Sequence, residues 1–249
     1  MDKLTFKEFL DFVQGSGDPE PEPPDAKYVS SVPPDASASY TPTAIFCMRH
    51  GRTPLDGVHR SDGWLDFPLS DEGRTSLIAA QQYLKDIPLT HIYCSPLKRT
   101  IETAEIINSG VVSGAKIVTD KSAMTWNLGT LMGTRKKPNK PIVTYFMNNV
   151  EEKPMGGESF AEFRNRFLPW LEERKKEAQA GKGPILLVLS GSNLREISKQ
   201  LYDDTTILDL DEGGLMIMQA DAGTGPSTGK GWQARVIFGI KDKDDEWLS

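Results

Sequence analysis

Ala44-Ile45-Phe46-Cys47-Met48-Arg49-His50-Gly51-Arg52-Thr53 is the stretch whose reading decides the fold. Its first five residues are apolar, too few for a helix, and read as a buried strand. The run ends in Arg-His-Gly and passes into turn-forming residues around Pro54 and Gly57. In an open α/β sheet, ligands bind beyond the carboxyl ends of the strands. A neutral imidazole there can attack phosphorus, and an adjacent guanidinium can grip two phosphate oxygens at once. Gly51 lets the backbone approach a ligand closely and offers its N–H to an anion. On these three residues alone, a partly buried histidine stacked at a strand end is the better reading, because short motifs recur by chance.

The whole chain narrows the choice. Its 249 residues suit one α/β domain with an appendage, or two small domains. A hydrophobic share of 38% suffices for a core and is low enough to indicate some non-globular sequence. With 29 Lys+Arg against 35 Asp+Glu, the formal charge is −6. That balance argues against a nucleic-acid binder and leaves room for a local basic pocket. Cys47 and Cys94 both sit in apolar strand-like runs, as buried thiols rather than a bridge or metal ligands. No cofactor or metal is called for. No segment is long and apolar enough to cross a membrane and no basic-then-apolar leader opens the chain, so a cytoplasmic setting is expected.

Residues 1–14 read as a short amphipathic helix. Thr5 and Glu8 form a capping-box pattern, Leu4 can staple onto Phe9, and Phe6, Phe9, Leu10 and Val13 recur at helical spacing. The helix either folds onto its own domain, the preferred reading, or docks a protein partner. Residues 15–43 are rich in Pro, Ser, Asp and Ala and read as an extended linker. Residues 44–249 form the domain. After the first strand come a long loop, a helix capped by Ser70, a strand at His91–Ser95, and a helix over Leu97–Ile107. A third strand follows at Lys116–Thr119. Residues 120–154 read as loops with a short helix over the site. Gly156-Gly157-Glu158-Ser159 opens a helix running to about Ala180, which Pro169 is expected to kink or interrupt. Then come a strand at Pro184–Leu189, a helix at Asn193–Leu201, and strands at Gly214–Ala220 and Gln233–Ile240. Strands alternating with helices predict a three-layer α/β/α sandwich with a mostly parallel sheet.

Arg49-His50-Gly51-x-Thr53, Asp66-Phe67-Pro68-Leu69-Ser70-x-x-Gly73 and Ser95-Pro96-Leu97-Lys98-Arg99-Thr100-x-x-Thr103-Ala104 resemble the histidine phosphatase (phosphoglycerate mutase-like) superfamily. The resemblance extends through Gly156-Gly157-Glu158-Ser159 and Leu186–Arg195, roughly from Thr43 to the C-terminus. It implies a phosphohistidine at His50, a phosphoryl group cradled by Arg49 and Arg99, and a phosphorylated small molecule as substrate. Gly51 and Thr53 complete the phosphate-binding segment.

Three residues depart from that pattern. Ser190 stands where the family usually has a second histidine; a hydroxyl donates a hydrogen bond but brings no charge. Losing one preorganised donor costs roughly 3–4 kcal/mol of transition-state stabilisation. Thr125 aligns with a glutamate that serves many members as general acid, and it cannot protonate a leaving group. Asp56 stands in a slot often held by a phosphate-contacting asparagine; ionised it would repel phosphate, protonated it would donate to it. Asp62, Asp66 and Glu158 are candidate replacement acids, although Glu158 also makes a good helix start and Asp66 a turn. His59 lies in the loop after the nucleophile and more often such a residue faces solvent. His91 starts a strand away from the site and reads as structural, and Arg135-Lys136-Lys137 reads as solvated surface or an attractor of anionic substrate. Two function classes stay open: a phosphomonoesterase of low activity, which is preferred, and a phosphate-binding pseudophosphatase. A mutase is less favoured, because it needs a competent general acid/base.

Overall fold

The computed structural model describes residues 40–112, 114–201, 210–220 and 231–240. The expected N-terminal helix, most of the 15–43 linker, and the loop joining the last two strands lie outside the described residues. Six strands form one sheet: β1 (Ile45–Arg49), β2 (His91–Cys94), β3 (Lys116–Thr119), β4 (Ile185–Leu189), β5 (Leu210–Ala220) and β6 (Trp232–Ile240). Their spatial order is β3-β2-β4-β1-β5-β6. The β3-β2, β2-β4 and β4-β1 pairs are parallel, and β5 is antiparallel to both β1 and β6.

Every residue of β1 and β4 is buried, as their continuous apolar runs require of central strands covered on both faces. Alternate residues feed two cores. Cys47, Leu187 and Leu189 face one helical layer, made by α4 (Lys136–Asn148), α5 (Phe160–Glu177) and α6 (Gly191–Leu201). Phe46, Met48, Leu186 and Val188 face the other, made by α1 (Asp71–Ser76), α2 (Ile78–Leu84) and α3 (Lys98–Gly110). The three layers and the mostly parallel sheet agree with the sequence reading.

Several local expectations are corrected. Pro169 does not interrupt α5, which runs unbroken from Phe160 to Glu177. Phe163, Phe167 and Trp170 stack in series across the proline and are all buried. Burial of about 1.5–3 kcal/mol per large apolar side chain outweighs the roughly 3 kcal/mol that an internal proline costs. The 120–154 segment is more ordered than its prolines suggested, with a 13-residue α4. Pro138 lies in its first turn, where no intrahelical donor is lost; Pro141 lies inside the helix, whose inner face Ile142 and Phe146 bury. β5 starts earlier than expected, at Leu210, and carries register shifts between Leu210 and Met216. Ser70 does cap α1, accepting from the Gly73 N–H, and Ser159 with Glu162 makes a complete capping box for α5. Cys47 and Cys94 are buried free thiols. Among the described residues no helix is long and apolar enough to cross a membrane.

One close approach fixes the loop after β1. A Cβ on Gly73 would lie 2.0 Å from the Arg52 carbonyl oxygen and 2.8 Å from its nitrogen. A Cβ on Gly51 would lie 2.7 Å from the Gly73 carbonyl oxygen. Both contacts are backbone to backbone and cannot yield by a rotamer change. Gly73→Ala is therefore expected to destabilise by about 1–3 kcal/mol, lowering Tm by several degrees in a thermal melt. Gly57→Ala, where nothing lies within 4 Å, is expected to leave Tm unchanged.

Candidate active site

The parallel register places Arg49 opposite Leu189, and the His50 N–H donates to the Leu189 carbonyl at 3.0 Å. His50 and Ser190 therefore leave the sheet side by side. Both line one cleft, together with Arg49, Asp56, Asp62, Arg99, Thr125 and Lys136. Arg99 reaches it from the first turn of α3, as its place after a strand end required. Ser190, Gly191 and Ser192 bring the N-terminus of α6 to the same cleft, where partial positive charge favours an anion.

Hydrogen bonds fix the state of His50. Its Nδ1 lies 2.8 Å from the Gly51 carbonyl oxygen, which can only accept, so Nδ1 carries the proton. Nε2 keeps its lone pair, and Arg99 Nε–H donates to it at 3.3 Å. Burial, then the Arg99 charge, push the imidazole down to about 3, with Arg49 adding to the effect and Asp56 opposing it. The ring is 3% exposed and neutral at physiological pH. A neutral imidazole with an unprotonated Nε2 is the form that can attack phosphorus.

The two arginines are held from opposite sides. Arg99 donates to the carbonyls of Gly63 and Leu65 at 2.7 and 2.9 Å. Arg49 donates to the Leu210 carbonyl at 2.8 Å and pairs with Glu212 at 2.6 Å. Glu212 is buried, and the sequence offered no periodicity or motif that singled it out.

Asp56 is 2% exposed and pairs with Lys136 at 3.0 Å and Arg49 at 3.9 Å. Burial opposes its ionisation, but Lys136 and then Arg49 overcome that and hold its carboxyl well below the usual range. The protonated alternative is thereby corrected: Asp56 is a carboxylate that draws Lys136 inward. Lys136 is thus a cleft residue rather than solvated surface. Asp62 behaves oppositely. Burial, then the Asp56 charge, raise it to about 6.

Other expected residues turn elsewhere. The Gly51 N–H donates to Thr103 Oγ1 at 3.1 Å instead of facing the cleft. Thr53 is fully buried, with its hydroxyl between Asp56 and Asp62. Glu158 does not line the cleft; it pairs with Arg166 at 2.6 Å and accepts from the Asn127 N–H. Asp66 accepts from the Lys98 N–H at the start of α3. Thr125 does line the cleft, hydrogen-bonded to Ser192. His59 is outside it, at a left-handed φ of 53°. His91 stacks on Tyr93 at the amino-terminal end of β2, the end of the strand away from the cleft.

The tautomer of His50 is directly observable. In ¹⁵N-labelled protein, His50 is expected to show a protonated Nδ1 and an unprotonated Nε2 from pH 8 to pH 4. A free surface histidine would titrate near 6.5 in the same spectra. Titration of His50 near 6.5 contradicts the buried hydrogen-bond arrangement.

The arrangement has relatives. Residues 45–220 match the family model of the histidine phosphatase superfamily (branch 1). The chain is 32% identical over 134 residues to fructose-2,6-bisphosphatase TIGAR B of Danio rerio, covering 52% of either protein. It thus spans about half the length of that relative. It is 27% identical over 164 residues to 2,3-bisphosphoglycerate-dependent phosphoglycerate mutase 2 of Gloeobacter violaceus, covering 63% of this chain and 74% of that one. Among solved structures, mycobacterial hydrolase 1 superposes with a TM-score of 0.63 at 22% identity, over 78% of this chain and 96% of that one. Bacillus stearothermophilus YhfR gives 0.61 at 22% identity, over 78% and 95%. These structures share the fold. The family match runs from the first residue of β1 to the last of β5 and includes His50 and both arginines, so the chain belongs to the histidine phosphatase superfamily, whose phosphatases and mutases transfer phosphoryl groups through a phosphohistidine.

Proposed function

We propose that this chain is a phosphomonoester hydrolase acting on a phosphorylated small molecule. The observation that carries the reading is the neutral His50, whose Nε2 lone pair meets only the Arg99 guanidinium at the end of a cationic cleft. An incoming phosphoryl group takes the arginine donor, and Nε2 then attacks phosphorus. Arg49 and Arg99 balance the charge of its oxygens, and Ser190 offers a hydroxyl to one of them. Water releases the phosphate from the resulting phosphohistidine. Beyond the anion end, Trp126, Leu128, Val143, Met147 and Phe160 make an apolar wall. Lys140, Arg195, Glu196 and Lys199 line the same cleft, so it offers both apolar and charged surface to the alcohol part of an ester. After brief incubation with ³²P-labelled phenyl phosphate and an acid-free quench, label is expected on His50 and absent from His50→Ala. Turnover without label on His50 sinks the mechanism.

A second reading, a phosphate-binding protein without efficient turnover, draws on Ser190 and Thr125, two hydroxyls in place of a charged donor and an acid. Ser190→His separates the two. For a hydrolase it is expected to raise kcat more than it tightens phosphate binding, because the added donor acts on charge that shifts during transfer. Loss of both phosphate affinity and rate would favour the binding protein, with a pocket shaped around serine.

A further inference from the structure

Thr53 Oγ1 sits between two carboxyl groups, 3.1 Å from Asp56 Oδ2 and 2.9 Å from Asp62 Oδ1. The same oxygen accepts the Asp56 backbone N–H at 3.1 Å. A hydroxyl has one proton to give, so it cannot donate to both carboxylates. Asp56 is fixed as an anion by Lys136 and Arg49 and can only accept. Asp56 Oδ2 also accepts the Thr53 N–H at 3.2 Å. Both hydroxyl contacts are hydrogen bonds at once only when one of the two carboxyls carries a proton, and Lys136 and Arg49 leave Asp62 as that one. From this arrangement we propose that Asp62, in its protonated form, is the general acid that protonates the leaving oxygen, in the role the family resemblance would give to the position of Thr125. The inference rests on the hydrolase reading above.

The environment agrees with the geometry. Burial and the Asp56 charge favour the protonated form of Asp62, while Arg99, a hydrogen bond from Thr53 and Lys136 oppose it; burial and Asp56 prevail. Asp62 is 7% exposed and lines the cleft that holds His50. Its loop is clamped: the Ser61 N–H donates to the Thr134 carbonyl at 2.9 Å and the Gly133 N–H returns to the Ser61 carbonyl at 2.7 Å. Two neighbouring carboxyl groups with divergent proton affinities are the arrangement that separates acid from spectator in many active sites.

The step balances. Nε2 of His50 gives its electron pair to phosphorus, the P–O bond breaks, and its pair stays on the leaving oxygen. That oxygen takes the Asp62 proton and departs as an alcohol or phenol, leaving Asp62 as carboxylate. The carboxylate then removes a proton from water as its oxygen bonds to phosphorus. The P–N bond breaks, its pair returns to Nε2, and phosphate leaves with Asp62 protonated again.

The test measures kcat/KM for 4-nitrophenyl, phenyl and benzyl phosphate, which need progressively more help from an acid, with wild type, Asp62→Asn, Asp56→Asn and His50→Ala. Because Asp62 holds its proton below about 6, wild-type rates on benzyl phosphate are expected to fall about tenfold per pH unit above that point. Asp62→Asn is expected to remove that limb and to lose about 100-fold or more on benzyl phosphate, against far less on the nitrophenyl ester. Asp56→Asn, which removes the charge that holds the proton, is expected to move the limb to lower pH. A limb that persists in Asp62→Asn, or equal losses on all three esters, overturns the proposal. Wild type no faster than His50→Ala on every ester overturns the hydrolase reading instead. A ¹³C titration of the Asp62 carboxyl needs no turnover: protonation at pH 5 supports the assignment, and an ionised carboxyl at pH 5 overturns it.

Discussion

The parallel pairing of β1 with β4 is the contact on which the chemistry depends. Phe46 and Met48 project to one helical layer, and Cys47 to the other, in step with Leu186, Val188 and Leu187 on β4. A slip of one residue would exchange the faces of a whole strand, so two filled cores hold the register. The register carries one residue further, to the hydrogen bond from the His50 N–H to the Leu189 carbonyl. From there the two chains part, one into the loop bearing Asp56 and Asp62, the other into α6. His50 and Ser190 are neighbours because the hydrophobic core leaves them no other place.

Burying two guanidinium groups beside each other costs several kcal/mol per ion unless partners compensate. Here the compensation is uneven. Arg99 is met by two carbonyls and an imidazole nitrogen, while Arg49 has Glu212 and a more distant Asp56. Carbonyl dipoles hold a cation in place without cancelling its charge, so the cleft keeps a positive field where Arg99 meets His50. Burial first, and then the same field that attracts a phosphate, keep a proton off His50. Anion binding and the neutral state of His50 thus share one contribution, the Arg99 charge.

Most of the fold was legible because central strands and amphipathic helices write themselves as local periodicity. β3 lies where its four residues suggested, and the Ser70 and Ser159 caps were visible as residue types at helix starts. His50, Arg49, Arg99 and Ser190 were legible as a set, since each follows a strand end or opens a helix in one ordered pattern. What escaped was set by tertiary contact. Pro169 marks a break until one sees three aromatic rings buried across it. Lys136 belongs to a basic run of the kind that usually meets solvent, and only Asp56, eighty residues away, turns it inward. Glu212 sits in an irregular start of β5 that no strand pattern announces.

The two walls of the cleft carry their carboxyl groups differently. On the wall between β3 and α5, Arg166 grips Glu158 and the carbonyls of Ser122, Met124 and Thr125, and stacks on Phe163 and Trp64. Glu158 in turn accepts the Asn127 N–H. This wall is stiffened by its carboxylate, and none of its cleft-lining positions near Thr125 presents one. On the opposite wall the loop after β1 brings Asp56 and Asp62 together around one threonine hydroxyl. Position 125 brings a hydroxyl to one side of the cleft; on the other, Lys136 and Arg49 anchor Asp56 and leave Asp62, the proposed acid, lining the cleft.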